Sequence, residues 1–186
     1  MLICTAVFCL QLFLPVMDTV FALWPLGSGR FSPWQVVSYG FLHGDTMHLF
    51  FNMLGLWMFG SELERLWGAK RYIHLLLASV VAAAGVQMIF TAVTGSMSPT
   101  VGASGGLFGL LLSFGMLFPN RVIMPLFPPI PMKARTFVAV FGGLELLFGL
   151  SGRSGVAHFA HLGGMLGAWL MIRYWRGKSP LGGRRR

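Results

Sequence analysis

Charge is the scarcest feature of this sequence. Only 10% of its 186 residues are charged, while 55% are hydrophobic. A soluble domain carries about 25% charged and about 45–50% apolar residues. A water-soluble chain of this length would enclose one core in a polar rind. The charge for that rind is absent, so lipid is the solvent the composition fits. Cysteine is scarce too: Cys4 and Cys9 are the only two and lie in one apolar stretch. That excludes a disulfide framework and leaves packing or lipid-facing roles. No basic segment precedes the apolar run Leu2–Leu23, which is longer than the core of a signal peptide, so a retained first span is expected. There is no internal repeat and no sign of a second domain. Residues 1–175 read as one domain and 176–186 as a basic cytoplasmic tail.

What is abundant is apolar sequence in runs. A span of the hydrocarbon core needs about 20 mostly apolar residues. Six candidates stand out: Leu2–Leu23, Met47–Leu63, Tyr72–Val93, Ala103–Phe118, Thr136–Leu150 and Val156–Tyr174. The expected fold is therefore an all-α membrane protein of six transmembrane helices. The fourth and fifth spans are short and call for shielding by neighbours or a thinned bilayer. The long link Trp24–Thr46 is rich in interface-seeking aromatics. Thr94–Gly102 is small and flexible, Pro119–Arg135 is proline-rich and expected to be extended, and Ser151–Gly155 reads as a tight turn. Ala160, Gly163, Gly164, Gly167 and Ala168 in the last span would let neighbouring helices approach closely.

The net charge of +9 is not gathered into the single patch that nucleic acid recognition needs. With six spans, one side of the membrane holds Arg65, Lys70, Arg71, Arg121, Lys133, Arg135, Arg173, Arg176, Lys178 and Arg184–Arg186; the other holds Arg30 and Arg153. The rule that cytoplasmic loops are basic then puts both termini in the cytoplasm.

Polar side chains inside a membrane are costly and are usually functional or paired. Gly102-Ala103-Ser104-Gly105-Gly106 opens the fourth span and fits the G-x-S-x-G pattern of hydrolase nucleophiles. By itself it fits helix packing better. Its position matters more: a serine at a helix N-terminus sits among unpaired N–H groups that can stabilise an oxyanion. His161 lies about five residues into the sixth span, roughly 8 Å deep at helical rise, and enters from the same side. It is the candidate base for Ser104. His48 and Asn52, spaced i, i+4, share a face of the second span and are candidate oxyanion donors; without the serine and His161 they would read as packing contacts. No carboxylate is evident where a triad would need one, since Asp45 is in a loop, Asp18 in the first span and Glu145 in the fifth. A Ser104–His161 dyad is expected. His43 is expected to hydrogen-bond within its loop, His158 lies one turn before His161, and His74 is expected at the cytoplasmic interface.

His48-x-x-x-Asn52, Gly102-Ala103-Ser104-Gly105 and Ala160-His161-x-x-Gly164, in this order and on these spans, resemble the rhomboid family of intramembrane serine proteases. The similarity runs from Trp24 to Trp169, and Glu62–Lys70, with Glu64 and Arg65, also looks like the family pattern. The resemblance implies a six-helix bundle open to the outer side. In it Ser104 is the nucleophile, His161 the general base, and His48, Asn52 and the Ser104 N–H form the oxyanion hole. It also implies that the fifth helix is a lateral gate and Thr94–Gly102 a cap. Gly102 and Gly105 give the substrate backbone room, and Phe108 packs on His161. There are two departures: Trp34-Gln35 stands where members often have Trp-Arg, and Phe108 where the best-known bacterial form has tyrosine.

The implied activity is hydrolysis of peptide bonds in or near the spans of single-span membrane proteins; a compact six-span core without organelle signals fits a bacterial plasma membrane. The activity requires no cofactor, no metal and no nucleic acid. A non-catalytic relative that binds membrane clients would usually lack Ser104 or His161. A transporter would show charged pore residues or paired repeats. A soluble hydrolase would need a strand before the serine.

Overall fold

In the computed structural model, residues 1–126, 129–151 and 157–177 are described, and they are mostly helical. The chain begins with α1 (Leu2–Phe13) and α2 (Val16–Phe21), not with one continuous span over Leu2–Leu23. Pro15 accounts for the difference. It cannot donate a hydrogen bond to the Gln11 carbonyl, and its ring crowds that turn, so α1 stops after Leu14 N–H bonds to the Leu10 carbonyl. Cys4, Phe8 and Gln11, at helical spacing, form the buried side of α1, while Cys9 is exposed and both thiols are free.

The link from Trp24 to Thr46 is folded. It holds a short helix α3 (Gln35–Ser38) and two 3-10 turns, Leu26–Ser28 and Tyr39–Phe41. Gln35, only 1% exposed, organises it. Its Oε1 accepts from the Trp24 and Ser32 N–H groups, and its Nε2 donates to the Val20 and Arg30 carbonyls. A second glutamine, Gln11, pairs with both backbone groups of His43 and also donates to Asp18 Oδ1 at 2.7 Å.

The expected second and third spans form one helical element, α4 (Thr46–Thr94), broken at Gly68. Residues 64–71, read as a loop, are helical apart from that glycine. Their Glu, Arg, Leu, Ala and Lys residues favour helix, and the reversal needs only Gly68 at φ 76°, ψ 159°, a region essentially restricted to glycine. Asp45 caps the element by accepting from the His48 N–H at 2.8 Å.

Next come α5 (Ser104–Leu117), α6 (Ala134–Ser151) and α7 (His158–Trp175). The proline-rich link before α6 begins with a turn at 118–121 and is extended where it forms a short antiparallel ladder, β1 (Val122–Ile123) with β2 (Met132–Lys133). Thr100 pairs both ways with the Leu23 backbone at 2.9 Å, fixing the segment that leads into α5. The expected turn at Ser151–Gly155, the start of the last span at Val156 and most of the tail 176–186 lie outside the described residues. By length and composition, α4 and α6 could cross a membrane; α1 and α5 are shorter apolar helices.

The centre of the fold is α4, α5 and α7, packed through small residues as the last span's composition suggests. A Cβ on Gly164 would fall 1.9 Å from the Gly105 carbonyl oxygen, one on Gly167 2.5 Å from that of Ala78, and one on Gly163 2.9 Å from that of Ala82. Below this contact lies a core that includes Leu56, Phe59, Leu63, Leu75, Leu110 and Phe114. At its far end Trp67 meets Trp175 edge to face. Arg71 lies over Trp175, and Arg121 pairs with Glu62. Glu64 and Arg65 are both exposed there.

Candidate active site

Three helix N-termini meet at the other end of the bundle. Ser104 is the first residue of α5, His161 lies in the first turn of α7, and His48 lies in the first turn of α4. The chain reaches α5 through Gly102, whose φ of +125° suits glycine. Its N–H bonds to the Tyr39 carbonyl at 3.0 Å. The His48 ring lies so close that a Cβ on Gly102 would be 2.7 Å from its Cε1 and Nε2. Gly102 therefore serves both the turn and the close approach. Gly105 brings α5 against α4 and α7, since a Cβ there would be 2.6 Å from Ala83 Cβ.

These contacts bring Ser104 and His161 together: His161 Nε2 and Ser104 Oγ are 2.8 Å apart. Phe108 stacks on the imidazole, with centroids 4.3 Å apart and planes 5° from parallel. One turn along α5 from Ser104, it shields one face of the ring without offering a hydrogen bond. The first helical bond near this turn runs from the Leu107 N–H to the Ala103 carbonyl. The N–H groups of Ser104, Gly105 and Gly106 thus precede the helix's own ladder and are suited to a developing negative charge.

Asn52 is 3% exposed. Its Nδ2 donates to the His48 carbonyl at 3.0 Å, and its Oδ1 has no hydrogen-bond partner. An amide nitrogen carries two hydrogens, so one remains for another acceptor. His48 Nδ1 accepts from the Gly44 N–H at 3.4 Å. His48, Asn52, Ser104 and His161 line one cavity of about 940 Å³, with Gln87 and Ser98 among its other polar walls. A second cavity, of about 690 Å³, lies beside Glu62 and Arg121 and holds no serine–histidine pair.

Two expectations need correction. The first concerns His43, which was expected to hydrogen-bond within its loop. Its backbone bonds instead to Gln11 of α1, and its ring meets the Phe41 backbone within the loop, with neither ring nitrogen in an aligned bond. The ring is 1% exposed and meets His48 edge to face at 5.2 Å. Burial, together with the neighbouring His48, lowers its pKa to about 4.

The second concerns the carboxylate. Glu145 Oε2 lies 2.5 Å from His158 Nδ1 and 2.8 Å from His161 Nδ1. A carboxylate therefore does sit behind the histidine that faces Ser104. The His161 approach is at hydrogen-bond distance but oblique to the ring N–H direction, so no aligned bond is formed. The sequence held a signal for this: Glu145 is a carboxylate within an apolar span, and such a group needs a partner. Which side chain of α7 would meet it was not readable from spacing.

The ligand atoms of Glu145, His158 and His161 lie within 4.8 Å of one another, a set that could hold a cation. Their closest separations, 2.5 and 2.8 Å, are shorter than the roughly 3.3 Å between ligands of a tetrahedral zinc site. The cluster is spaced for hydrogen bonds.

Residues 30–177 match the family described as Rhomboid domain. Among similar proteins, Presenilin-associated rhomboid-like protein A, mitochondrial, of Danio rerio is 31% identical over 76% of this chain and 38% of its own length. Rhomboid protein 1, mitochondrial, of Saccharomyces cerevisiae is 33% identical over 52% and 29%. Rhomboid protease GlpG of Yersinia pestis is 28% identical over 94% and 60%. The matches thus cover between about three tenths and three fifths of these relatives.

Proposed function

The chain belongs to the rhomboid family, and from that premise we propose that it is an intramembrane serine endopeptidase. The observation that carries this reading is the 2.8 Å approach of His161 Nε2 to Ser104 Oγ in the wall of a cavity that His48 and Asn52 also line. In the proposed reaction His161 takes the Ser104 proton as Oγ attacks the substrate carbonyl. The carbonyl electrons move to an oxyanion, stabilised by the N–H groups at the start of α5, the second Asn52 amide hydrogen and His48. His161 then protonates the departing amine, and water hydrolyses the acyl-enzyme.

In our reading α1–α2, the two limbs of α4, and α5, α6 and α7 make six spans. Ser104 lies at the end of the bundle away from Arg71, Arg121 and Arg173. By the positive-inside rule the cavity opens on the non-cytoplasmic side and both termini lie in the cytoplasm. The substrates we propose are single-span membrane proteins whose helix unwinds easily, since a hydrogen-bonded helical backbone is hard to attack.

The test is a single-span reporter reconstituted with the protein in liposomes. The expected result is a cut within or beside the reporter's span, absent with Ser104→Ala. A reporter that is bound but left intact would move the protein to the non-catalytic, client-binding class.

A further inference from the structure

We propose that Glu145 is a positioning residue for the reaction, a third member that sets the tautomer of His161 from the neighbouring helix α6. This rests on the serine-protease reading above. The argument starts from the cost of Glu145. A carboxylate in the middle of a span is costly and calls for a partner. Its side chain is only 14% exposed, so water does not offset that cost. The partners that face it are His158 and His161 on α7, whose Nδ1 atoms share the single oxygen Oε2.

The chemistry follows from which nitrogen faces which group. A neutral imidazole carries one proton, on Nδ1 or on Nε2. To accept the Ser104 proton, Nε2 must be the bare nitrogen, so Nδ1 must hold the hydrogen. A carboxylate oxygen 2.8 Å from Nδ1 can only accept, which favours that tautomer. When Ser104 Oγ bonds to the substrate carbon, its proton moves to Nε2. The Nδ1 proton stays in place, facing Glu145, and the carboxylate offsets the new positive charge on the ring. The proton on Nε2 then leaves with the amine. Glu145 ends the cycle as it began.

His158 holds the same oxygen from one turn before His161. At 2.5 Å it is a second contact that holds the Glu145 carboxylate in place. Phe108 covers one face of the His161 ring. Orientation is thus set by α5 on one side and by α6 on the other.

The competing role for Glu145 is purely structural, a polar tie between α6 and α7. Two variants separate the roles. Glu145→Gln keeps the shape and can turn a donor toward Nδ1. Glu145→Leu puts an ordinary span residue there and removes the acceptor altogether, leaving neutral imidazoles on α7. Both would be purified in detergent beside wild type. Melting temperature and reporter cleavage would be measured, with kcat and KM resolved separately.

The expected result is a kcat reduced by about thirtyfold or more in both variants, KM within about twofold, and a melting temperature within a few degrees of wild type. Glu145→Leu that keeps kcat within about threefold of wild type would overturn the inference. So would a fall in activity that follows the melting temperature, or that lies in KM alone. Wild type is the control for the reading beneath it. If wild type cleaves and Glu145→Leu cleaves as well, only the role of Glu145 fails. If a folded wild type cleaves nothing, the protease reading itself fails.

Discussion

Replacing Gly164 by alanine strikes the contact that holds Ser104 and His161 together. The new Cβ would fall 1.9 Å from the Gly105 carbonyl oxygen. An ordinary contact begins at 3.4 Å, so α5 and α7 must separate by up to 1.5 Å (3.4 − 1.9). No side chain can yield, because the clash is with backbone. Gly105 adjoins Ser104, and Gly164 lies one turn after His161. Moving the helices apart by that amount carries the Oγ···Nε2 distance from 2.8 Å toward about 4.3 Å, beyond hydrogen-bond reach.

A misplacement of about 1 Å costs on the order of 10²-fold in rate, and overpacking costs about 1–3 kcal/mol of stability. The assay is the second-order rate of fluorophosphonate labelling in detergent, read beside the melting temperature. The expected outcome is labelling slowed about a hundredfold in a protein that still folds but melts several degrees lower. Gly85→Ala is the control, since a Cβ there meets nothing within 4 Å; alanine at a helical glycine should leave labelling unchanged and add about 0.5–1 kcal/mol of stability. Gly164→Ala that labels within about threefold of wild type would refute the idea that close approach of α5 and α7 sets the site.

Gln35→Ala removes four hydrogen bonds from a buried amide and should cost roughly 3–4 kcal/mol at about 1 kcal/mol each, seen as a lower denaturant midpoint. Gly68→Ala meets no atom within 4 Å, so its loss should be backbone strain alone, about 1–3 kcal/mol, with labelling intact below the melting point. His43 makes stability depend on pH. Its pKa falls from 6.5 to about 4 on burial, so as pH drops the unfolded chain takes up the proton first. Its contribution is complete above pH 6.5 and is lost between 6.5 and about 4, up to about 3 kcal/mol. His43→Leu should flatten this part of the stability–pH curve relative to wild type.

The apolar runs predicted the helices well wherever nothing interrupted them. The fourth, fifth and sixth stretches become α5, α6 and α7 within a few residues, because hydropathy alone decides where a helix can meet lipid. The approach of Ser104 to His161 was readable for a related reason: polar groups inside such runs need a partner, and both lie near the starts of helices that meet at one end of the bundle.

The interruptions were harder to read. Pro15 splits a run that hydropathy counts as continuous, and Gly68 turns the chain inside a helix-forming stretch that charge had marked as a loop. Gln35 looked like a departure from a motif, and only its four backbone partners explain it. Glu145 was visible as an anomaly but not as a partner of His161. That pairing depends on how α6 folds back onto α7, a long-range contact that local spacing does not encode.

The central claim is that Ser104 is a nucleophile activated by His161. The most direct measurement is fluorophosphonate labelling of purified, folded protein, with wild type, Ser104→Ala and His161→Ala run side by side. The account predicts that wild type takes up the probe and that both variants do not. A folded wild type left unlabelled, or a Ser104→Ala variant labelled as well as wild type, would contradict it.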